Sequence, residues 1–403
     1  MRRFVVILIT ISLLLCACAQ SAPPAVTDPN TPTAQAPTAA TVPAAVPTFP
    51  PGIQPEYYPA PSEARFEPAA PSSVESLLQA MTMEEKVGQL FLARCPDIRA
   101  AEDIQAYHLG GYILFGRDFQ GQTPQTVAKT ISQYQAAAAI PLLIAVDEEG
   151  GTVTRVSSYK AFRSSRFPSP RNLYRQGGLS LLLSTEAEKC QLLRSLGIQV
   201  NMAPVCDITT DSRAFLYSRS LGLSAQDTAT AIAEIVQTMN THQVGSVLKH
   251  FPGYGNNTDT HVGIAVDNRS LQELENRDLL PFAAGIQAGC GAILMSHTVV
   301  TALDSDFPVS LSLPAHRYIR QNMGFDGVIV TDDLVMGAIT KQYGAEEAAV
   351  LAVLAGNDLL CSSEYAIQYR AVLEAVQSGR IPLTVLNQAV HRVLQWKHTL
   401  GLL

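Results

Sequence analysis

A repeating alternation runs through residues 74–403: a short apolar run rich in Val, Ile and Leu, then a polar turn, then a longer stretch with helical spacing. Short apolar runs bounded by turn residues are typical of strands buried in a parallel sheet, and the longer stretches are typical of helices packed on that sheet. The chain is therefore predicted to fold as a series of β/α units.

Eight apolar runs are identified as strands: Gln89–Cys95, Gly111–Phe115, Pro141–Val146, Gln199–Pro204, Gly245–Lys249, Ala292–Met295, Gly327–Val330 and Asp358–Cys361. Eight strands in about 330 residues match the size of a closed (β/α)8 barrel. The predicted fold is thus an α/β protein with one TIM (β/α)8 barrel over residues 74–403. A doubly wound open sheet is the competing architecture.

Several predicted helices carry local signals. Thr82 and Glu85 form a capping box, in which each side chain can satisfy the other residue's backbone N–H, so a helix is expected to begin there. The segments Thr228–His242 and Ala345–Ala355 are rich in Ala, Ile and Val, with polar residues recurring along one side. That pattern is expected of helices packed on a sheet.

The N-terminus is predicted to be a secretion signal. Two arginines precede a mostly apolar run of about a dozen residues, which is shorter than the ~20 residues that a membrane-spanning helix needs. The run ends in Cys16-Ala17-Cys18, which resembles a bacterial lipobox with the lipid on Cys18, since only Cys18 follows a small residue. Residues 1–18 are therefore predicted to be a lipoprotein signal peptide and lipobox. An ordinary cleaved signal peptide is the alternative.

Residues 19–73 consist mostly of Pro, Ala and Thr with little charge. Such a composition cannot bury enough apolar surface to fold, so the segment is predicted to be a disordered, semi-rigid tether. Together with the lipid on Cys18, it places the protein outside the cytoplasm, lipid-anchored to the bacterial cell membrane. The anchor is the only membrane contact expected.

The charge of the chain limits its partners. The formal net charge is -7, and no basic cluster follows the signal. Nucleic acid and an electrostatic grip on anionic lipid are both disfavoured by this balance. A neutral or mixed-charge ligand fits better.

Five cysteines lie beyond Cys18, mostly within apolar runs: Cys95, Cys190, Cys206, Cys290 and Cys361. An odd number without close pairing favours neither a disulfide framework nor a metal site. They are predicted to be buried thiols in the core.

Polar residues collect at the carboxyl ends of five predicted strands. They are Asp147, Asp207, Lys249, His250, Ser296, His297, Asp332 and Asp333. In a TIM barrel this end holds the active site. Because buried carboxylates and imidazoles need partners or a ligand, we expect these side chains to surround a binding site.

The segment from Lys249 to His261 breaks into a loop at its Pro and Gly residues and carries Asp259 two residues before His261. In an extended stretch these two side chains project to the same side, and a carboxylate beside an imidazole raises the imidazole pKa and orients the ring for proton transfer. On spacing alone, a surface pair that only caps the turn is the simpler interpretation. For Lys249 and His250, the corresponding alternative is a solvated strand end.

Asp332 and Asp333 leave the end of an apolar strand. Neighbouring residues at a strand end point opposite ways, so at most one of them is expected to face the barrel mouth. Asp332 suits a nucleophile or a metal ligand, and Asp333 suits a supporting position. Alternatively, both residues cap the helix that follows.

Two further candidates lie near other strand ends. Asp147 and Arg155 flank a Gly-Gly turn, and together they can accept from and donate to the hydroxyls of a polyol or sugar. A solvated acidic turn is the alternative. Arg219 belongs to a Ser-Arg-Ser-Leu-Gly stretch that, taken alone, reads as an ordinary surface turn.

In this order, the motifs resemble the N-terminal barrel of the family 3 glycoside hydrolases, most closely the β-N-acetylhexosaminidase branch. The resemblance covers the whole folded part and rests on residues 77–91, Asp147-Glu-Glu-Gly-Gly151, residues 196–205, Ser218-Arg-Ser-Leu-Gly222, Lys249-His-Phe-Pro-Gly253 with Asp259-Thr-His261, Thr331-Asp-Asp-Leu334, Ala355-Gly-Asn-Asp358 and residues 392–402. Each motif is weak alone, whereas the ordered set is specific.

The resemblance implies retaining hydrolysis without a cofactor or a metal. It implies that Asp332 is the nucleophile and that His261 is the general acid/base, oriented by Asp259. The residues implied to bind the terminal sugar are Asp147, Arg155, Arg219, Lys249 and His250. Other members of the family take a glutamate from a second domain; no second domain is expected here, so the barrel itself must supply the acid/base.

Four positions depart from the branch's pattern. Tyr254 replaces its usual histidine, Glu148 its usual glutamine and Thr152 a frequent arginine, and the stretch from Gly255 to Asp259 is slightly short. None of these changes removes a proposed catalytic atom. With Tyr254 in place of histidine, the positioning of the loop is expected to differ from that in the branch.

The expected substrate is a glycan or muropeptide with terminal β-linked N-acetylglucosamine, from peptidoglycan fragments. A β-glucosidase of the same family is one alternative. A second is a lipoprotein that binds cell-wall sugar without turnover. A third is a metal-dependent barrel hydrolase, although the His-x-His that such barrels usually carry on an early strand is absent from this sequence.

Overall fold

The computed structural model describes residues 73–255 and 265–403. Its main sheet contains eight parallel strands: β1 (Phe91–Arg94), β2 (Gly111–Leu114), β3 (Leu143–Val146), β4 (Val200–Asn201), β5 (Gly245–Phe251), β7 (Ala292–Met295), β9 (Val328–Thr331) and β10 (Leu360–Ser362). Two short strands outside this sheet, β6 (Ala265–Asp267) and β8 (Thr298–Val300), pair with each other in parallel. All eight predicted barrel strands are present.

The main sheet closes on itself. Neighbouring strands pair in the order β10, β1, β2, β3, β4, β5, β7, β9, and a parallel bridge between Val330 and Leu359 joins the two ends. The predicted barrel is therefore confirmed, and the doubly wound open sheet is wrong. One boundary matters for the site: β5 runs to Phe251, so Lys249 and His250 lie inside the strand rather than beyond its end.

Helices surround the barrel. They are α1 (Ser73–Ala80), α2 (Met83–Gln89), α3 (Ala100–Tyr107), α4 (Gly116–Phe119), α5 (Pro124–Ala137), α6 (Pro170–Ser195), α7 (Ala225–Thr241), α8 (Leu271–Glu273), α9 (Leu279–Gln287), α10 (Leu313–Arg317), α11 (Gly337–Tyr343), α12 (Ala345–Ala355), α13 (Tyr365–Gln377) and α14 (Leu383–Thr399). Short π-helical turns, Leu274–Asp278 and Tyr318–Asn322, follow α8 and α10, and a 3-10 turn spans Val309–Leu311. The predicted capping box at Thr82 and Glu85 is present at the start of α2.

Side chains alternate between the barrel interior and the helical layer. In β7, Ala292 and Leu294 belong to the interior cluster, whereas Ile293 and Met295 pack against the helices. This follows from the two-residue period of a strand, which sends successive side chains to opposite faces. Because both faces are covered, the strands are mostly apolar, as their sequences indicated.

Helix α14 closes the amino end of the barrel. Its Trp396 belongs to the interior cluster, and its ring leaves no room for side chains at Gly245 and Gly291, where a Cβ atom would lie 2.9 Å and 2.1 Å from ring atoms. The close approach of backbone to indole therefore requires glycine at both positions. With this end filled, the opposite end is left to hold ligands.

The five cysteines beyond Cys18 are buried and form no disulfide, as predicted. Cys18 itself lies outside the described residues. Within the two described ranges, no helix is long and apolar enough to span a membrane.

Lys397 is a fully buried lysine on α14. Its Nζ donates a hydrogen bond of 2.6 Å to Oε1 of Gln89 on α2. Burial lowers the pKa of Lys397 to about 7, because a low-dielectric interior disfavours the charged ammonium. The folded state thus binds this proton less tightly than the unfolded chain, where a lysine pKa is about 10.4.

This difference predicts a pH-dependent contribution to stability. Between pH 7 and pH 10 the unfolded chain holds the Lys397 proton and the folded protein does not, so the free energy of unfolding gains up to about 1.4 kcal/mol per pH unit from this group. Lys397→Met should remove that gain. Urea unfolding should therefore give a difference in the free energy of unfolding, Lys397→Met minus the natural protein, that is highest at pH 6 and falls towards pH 10.

Lys160→Met is the matched control, because Lys160 is exposed. Its stability relative to the natural protein should not depend on pH. If Lys397→Met behaved in the same way, the pKa of Lys397 would not be lowered by burial.

Candidate functional site

The carboxyl ends of the barrel strands surround a cavity of about 510 Å³. Seven of the residues predicted to form the site line it: Asp147, Arg155, Arg219, Lys249, His250, Asp332 and Asp333. The other walls are largely apolar and include Phe115, Met202, Leu294, Val335, Met336 and Cys361. A concave, mostly apolar site with a few convergent polar groups is the usual form of a small-molecule site.

The ammonium of Lys249 joins two carboxylates at one wall. Its Nζ lies 2.7 Å from Oδ1 of Asp147 and 2.6 Å from Oε1 of Glu149. Burial alone would lower the pKa of Lys249, but the two carboxylates outweigh burial and raise it. Lys249 is therefore a permanent cation in this site.

Glu149 holds Arg219 as well as Lys249. Nη2 and Nε of Arg219 donate to the two Glu149 oxygens at 2.7 Å and 2.9 Å, a bidentate pair. Burial would raise the pKa of Glu149, but Lys249 and Arg219 hold it well below its usual range. Glu149 does not line the cavity; it stands behind two residues that do, and fixes where their charges lie.

His250 is oriented from both sides of its ring. Nδ1 lies 2.8 Å from Oδ2 of Asp207, and Nε2 lies 3.1 Å from Nη2 of Arg219. Because a guanidinium only donates, Nε2 accepts, and the tautomer assigned by this network carries its proton on Nδ1. The other Asp207 oxygen accepts the backbone N–H of Tyr254, so one buried carboxylate fixes both the imidazole and the chain that follows β5.

Lys249 and His250 are adjacent, yet both line the cavity. A regular strand would send them to opposite faces. In β5 the pairing with β7 shifts register between Leu248 and Phe251, and such an irregularity redirects side chains at the rim of a barrel.

Asp332 lies directly after β9 and lines the cavity. Burial alone would raise its pKa, but His297, then His250, the backbone N–H of Asp333 and Lys249 together lower it. Asp332 is therefore an ionised carboxylate in the wall of the cavity. Its Oδ1 accepts the N–H of Asp333 at 2.9 Å.

Asp333 plays a different part. Its carboxylate accepts hydrogen bonds from the Ser363 hydroxyl at 2.6 Å and from the Val335 N–H at 3.2 Å. Both aspartates line the cavity, so the expectation that only one faces the mouth is wrong: β9 ends at Thr331, and strand alternation does not continue into the turn. The helix-cap alternative is also wrong, because α11 begins at Gly337 after Met336.

Glu148, where the family branch usually has glutamine, is completely buried. Its carboxylate accepts the backbone N–H groups of Arg155, Val156 and Ser157 and the Ser157 hydroxyl. These bonds fold the chain after Gly151 back onto β3 and bring Arg155 to the cavity. A carboxylate suits this position because every group it meets is a donor.

Three predicted residues cannot be placed: Asp259, His261 and Cys18 lie outside the described residues. Among residues 73–255 and 265–403 there is no cluster of three or more His, Cys, Asp or Glu side chains that could hold a metal ion.

Three residues that support the site have no role assigned from the sequence: Glu149, Asp207 and His297. Asp207 and His297 are polar residues that follow predicted strands, and that position is the only sequence signal of their role. Glu149 follows two other acidic residues, and only its contacts distinguish it from them. His297 spans Ser310 and the Asp333 carbonyl, with Nδ1 2.8 Å and Nε2 3.0 Å away.

Comparison with known proteins identifies the architecture. Residues 82–396 match the model of the glycosyl hydrolase family 3 N-terminal domain. Beta-hexosaminidase LpqI of Mycobacterium tuberculosis is 31% identical over 350 residues, which cover 82% of this chain and 85% of LpqI.

Solved structures agree with this match. A glycoside hydrolase family 3 β-N-acetylglucosaminidase from Paenibacillus sp. str. FPU-7 superposes with a TM-score of 0.75 and 34% sequence identity. The superposition covers 80% of this chain and 63% of that protein. The structure of M. tuberculosis LpqI gives a TM-score of 0.73 and 26% identity, covering 80% of this chain and 95% of LpqI.

The buried position of Glu149 predicts a large effect on stability. Glu149→Gln keeps the volume of the side chain but leaves the Lys249 and Arg219 cations without their shared counter-charge. Breaking a buried ion pair costs about 3 to 5 kcal/mol, whereas an exposed pair contributes about 0 to 1 kcal/mol. Urea unfolding should show a loss in the larger range.

Glu188→Gln is the matched control, because Glu188 forms a bidentate pair with Arg163 at 2.9 Å and 3.2 Å, and its side chain is 53% exposed. This variant should lose less than about 1 kcal/mol. Equal losses in the two variants would contradict the assigned role of Glu149.

Proposed function

This chain belongs to glycosyl hydrolase family 3 and is a glycosidase, and on that premise we propose that it is a retaining β-N-acetylhexosaminidase. Asp332 carries the proposal, because it is an ionised carboxylate that lines the cavity beside groups suited to holding a sugar. The bond it cleaves joins a terminal β-linked N-acetylglucosamine to the rest of a glycan.

Asp332 acts as the nucleophile. Its low pKa keeps it deprotonated, and His297, His250 and Lys249 stabilise that charge. In the first step it attacks the anomeric carbon, the bond to the leaving oxygen breaks, and a covalent glycosyl-enzyme forms. In the second step water attacks the same carbon and Asp332 leaves. Two inversions retain the β configuration.

The terminal sugar is held by Asp147, Arg155, Arg219, Lys249 and His250. Carboxylate and cation alternate along this wall: Arg155 lies 3.8 Å from Asp147, which is bound to Lys249. A carboxylate accepts from a hydroxyl group and a cation donates to it, so neighbouring hydroxyls can each find a partner. Because Glu149 and Asp207 already orient these donors, little rearrangement is needed when the sugar binds.

Proton transfer is assigned to His261, oriented by Asp259. A leaving oxygen must gain a proton in the first step, and the water must lose one in the second. Asp333 is a poor candidate for this transfer, since its carboxylate is bonded to Ser363 and Val335. A histidine acid also avoids a second negative charge beside Asp332.

The substrate is proposed to come from cell-wall material, as fragments of peptidoglycan. The proposed lipid anchor on Cys18 and the tether of residues 19–73 would hold the barrel of residues 74–403 outside the cytoplasmic membrane. The anchor is the only membrane contact proposed, and a glycan or muropeptide is the partner.

Replacing the nucleophile should stop turnover. Asp332→Ala leaves no group to form the glycosyl-enzyme, so kcat/KM on an aryl N-acetyl-β-glucosaminide should fall by more than about 10³-fold. With the natural protein, a 5-fluoro glycosyl fluoride should leave a sugar mass on the peptide that contains Asp332. Asp326→Asn is the control, because Asp326 precedes the strand that Asp332 follows, and its side chain is 91% exposed.

The same assay separates the alternatives. A faster reaction on the aryl glucoside would indicate a β-glucosidase, and binding of muropeptides without turnover would indicate a sugar-binding lipoprotein. Loss of activity in a chelator would support a metal-dependent hydrolase, whereas we expect none. Wild-type rates for Asp332→Ala would refute the assigned nucleophile.

The location is testable at the lipobox. In a bacterial host, Cys18→Ser should move the protein from the membrane fraction to the soluble fraction, because no acyl chains can then be attached. Cys16→Ser is the matched control and should stay with the membrane. Membrane association of both variants would contradict lipidation at Cys18.

A further inference from the structure

Arg269 links three parts of the chain beside the barrel mouth. Its Nη2 donates to the carbonyl of Gly253 at 2.9 Å and to Oδ2 of Asp267 at 2.6 Å. Its Nη1 donates to Oδ2 of Asp278 at 2.6 Å, and its Nε lies 3.0 Å from Asp267. Both carboxylates are buried, so this guanidinium is held much more firmly than an exposed one.

The partners of Arg269 flank one segment. Gly253 lies two residues beyond the end of β5, and Asp267 is the last residue of β6. Residues 256–264 lie between them in sequence and include Asp259 and His261. Asp278 belongs to the helical layer and connects the guanidinium to the body of the fold.

The packing around the guanidinium leaves little freedom. A Cβ atom on Gly255 would lie 2.8 Å from the guanidinium carbon, and one on Gly253 would lie 3.0 Å from the Asp278 side chain. Both glycines have positive φ, 59° and 105°, a region that other residues adopt with difficulty. The backbone therefore passes against Arg269 at contact distance, and the guanidinium fixes its path.

We propose that Arg269 is a positioning residue for proton transfer: one guanidinium binds both Gly253 and Asp267, which flank the segment that carries His261, and the acid/base step depends on this hold. This inference rests on the proposed function, in which His261 is the acid/base. Lysine cannot substitute fully, because a single ammonium cannot match the planar fork that reaches a carbonyl and two carboxylates at once.

Leaving-group chemistry distinguishes this role from a purely structural one. Departure of phenol from a phenyl N-acetyl-β-glucosaminide needs a proton, whereas 2,4-dinitrophenolate leaves with little assistance. Both substrates place the same sugar in the same site. A misplaced acid therefore lowers kcat/KM for the phenyl substrate selectively, whereas a general loss of structure lowers both equally.

The experiment compares the full chain with Arg269→Lys, Arg269→Gln and His261→Ala on these two substrates. We expect the ratio of kcat/KM values, dinitrophenyl over phenyl, to rise by at least about 10-fold in both Arg269 variants and further in His261→Ala, since general acid catalysis is worth about 10² to 10⁴. The ratio does not depend on the folded fraction, because both substrates report on the same active molecules. It remains interpretable if a variant is less stable.

Arg277→Gln is the matched control. Arg277 also lies beside Asp278, at 3.8 Å, and donates to the carbonyl of Ile208 instead of Gly253. The ratio of kcat/KM values, dinitrophenyl over phenyl, should stay within about two-fold of that of the natural protein in this variant. Such a change is far smaller than the change caused by losing a general acid.

The outcomes separate the two claims. A raised ratio in His261→Ala with an unchanged ratio in the Arg269 variants would overturn the role of Arg269 and leave the proposed function intact. An unchanged ratio in His261→Ala would overturn the assignment of the acid/base, and the role of Arg269 with it. An equal rise in Arg277→Gln would show that the effect belongs to Asp278 rather than to the hold on Gly253.

Discussion

The buried carboxylate of Glu149 holds the charged wall of the site together. It binds Arg219 through two hydrogen bonds and Lys249 through a third contact, and Lys249 in turn binds Asp147. These contacts join the end of β3, the strand β5 and the loop that follows β4. Without Glu149, Arg219 would lose its bidentate partner, and Lys249 would keep Asp147 alone.

The same balance of charge sets the chemistry of Asp332. A buried carboxylate would ordinarily take up a proton, but the neighbouring imidazoles and the Lys249 ammonium keep this one ionised. An ionised carboxylate is the form needed for attack on an anomeric carbon. Near Asp332, Asp207 orients His250 and Glu149 orients Arg219, while Arg269 separately binds the chain on either side of residues 256–264.

Much of the fold was predictable, because buried strands appear in the sequence as short apolar runs separated by polar turns and helical stretches. All eight barrel strands and the closed sheet follow from short apolar runs, and the polar residues at their carboxyl ends predicted where the site lies. The expectation that only one of Asp332 and Asp333 faces the barrel mouth failed, whereas Lys249 and His250 both lie at the site as expected, and in each case regular strand geometry stops. Asp332 and Asp333 share the cavity because β9 ends before them, and Lys249 and His250 share it because the register of β5 shifts.

The sequence by itself determined the β/α repeat, the end of the barrel that holds the site and the family to which the chain belongs, since each depends on local patterns and their order. Only the tertiary structure decided which charged groups are partners. Glu149 and Arg219 are 70 residues apart in the chain, and Asp147 and Lys249 are 102 apart. A hydrogen bond requires its donor and acceptor to lie within a narrow range of distances. Closure of the barrel brings residues that are far apart in the sequence into that range.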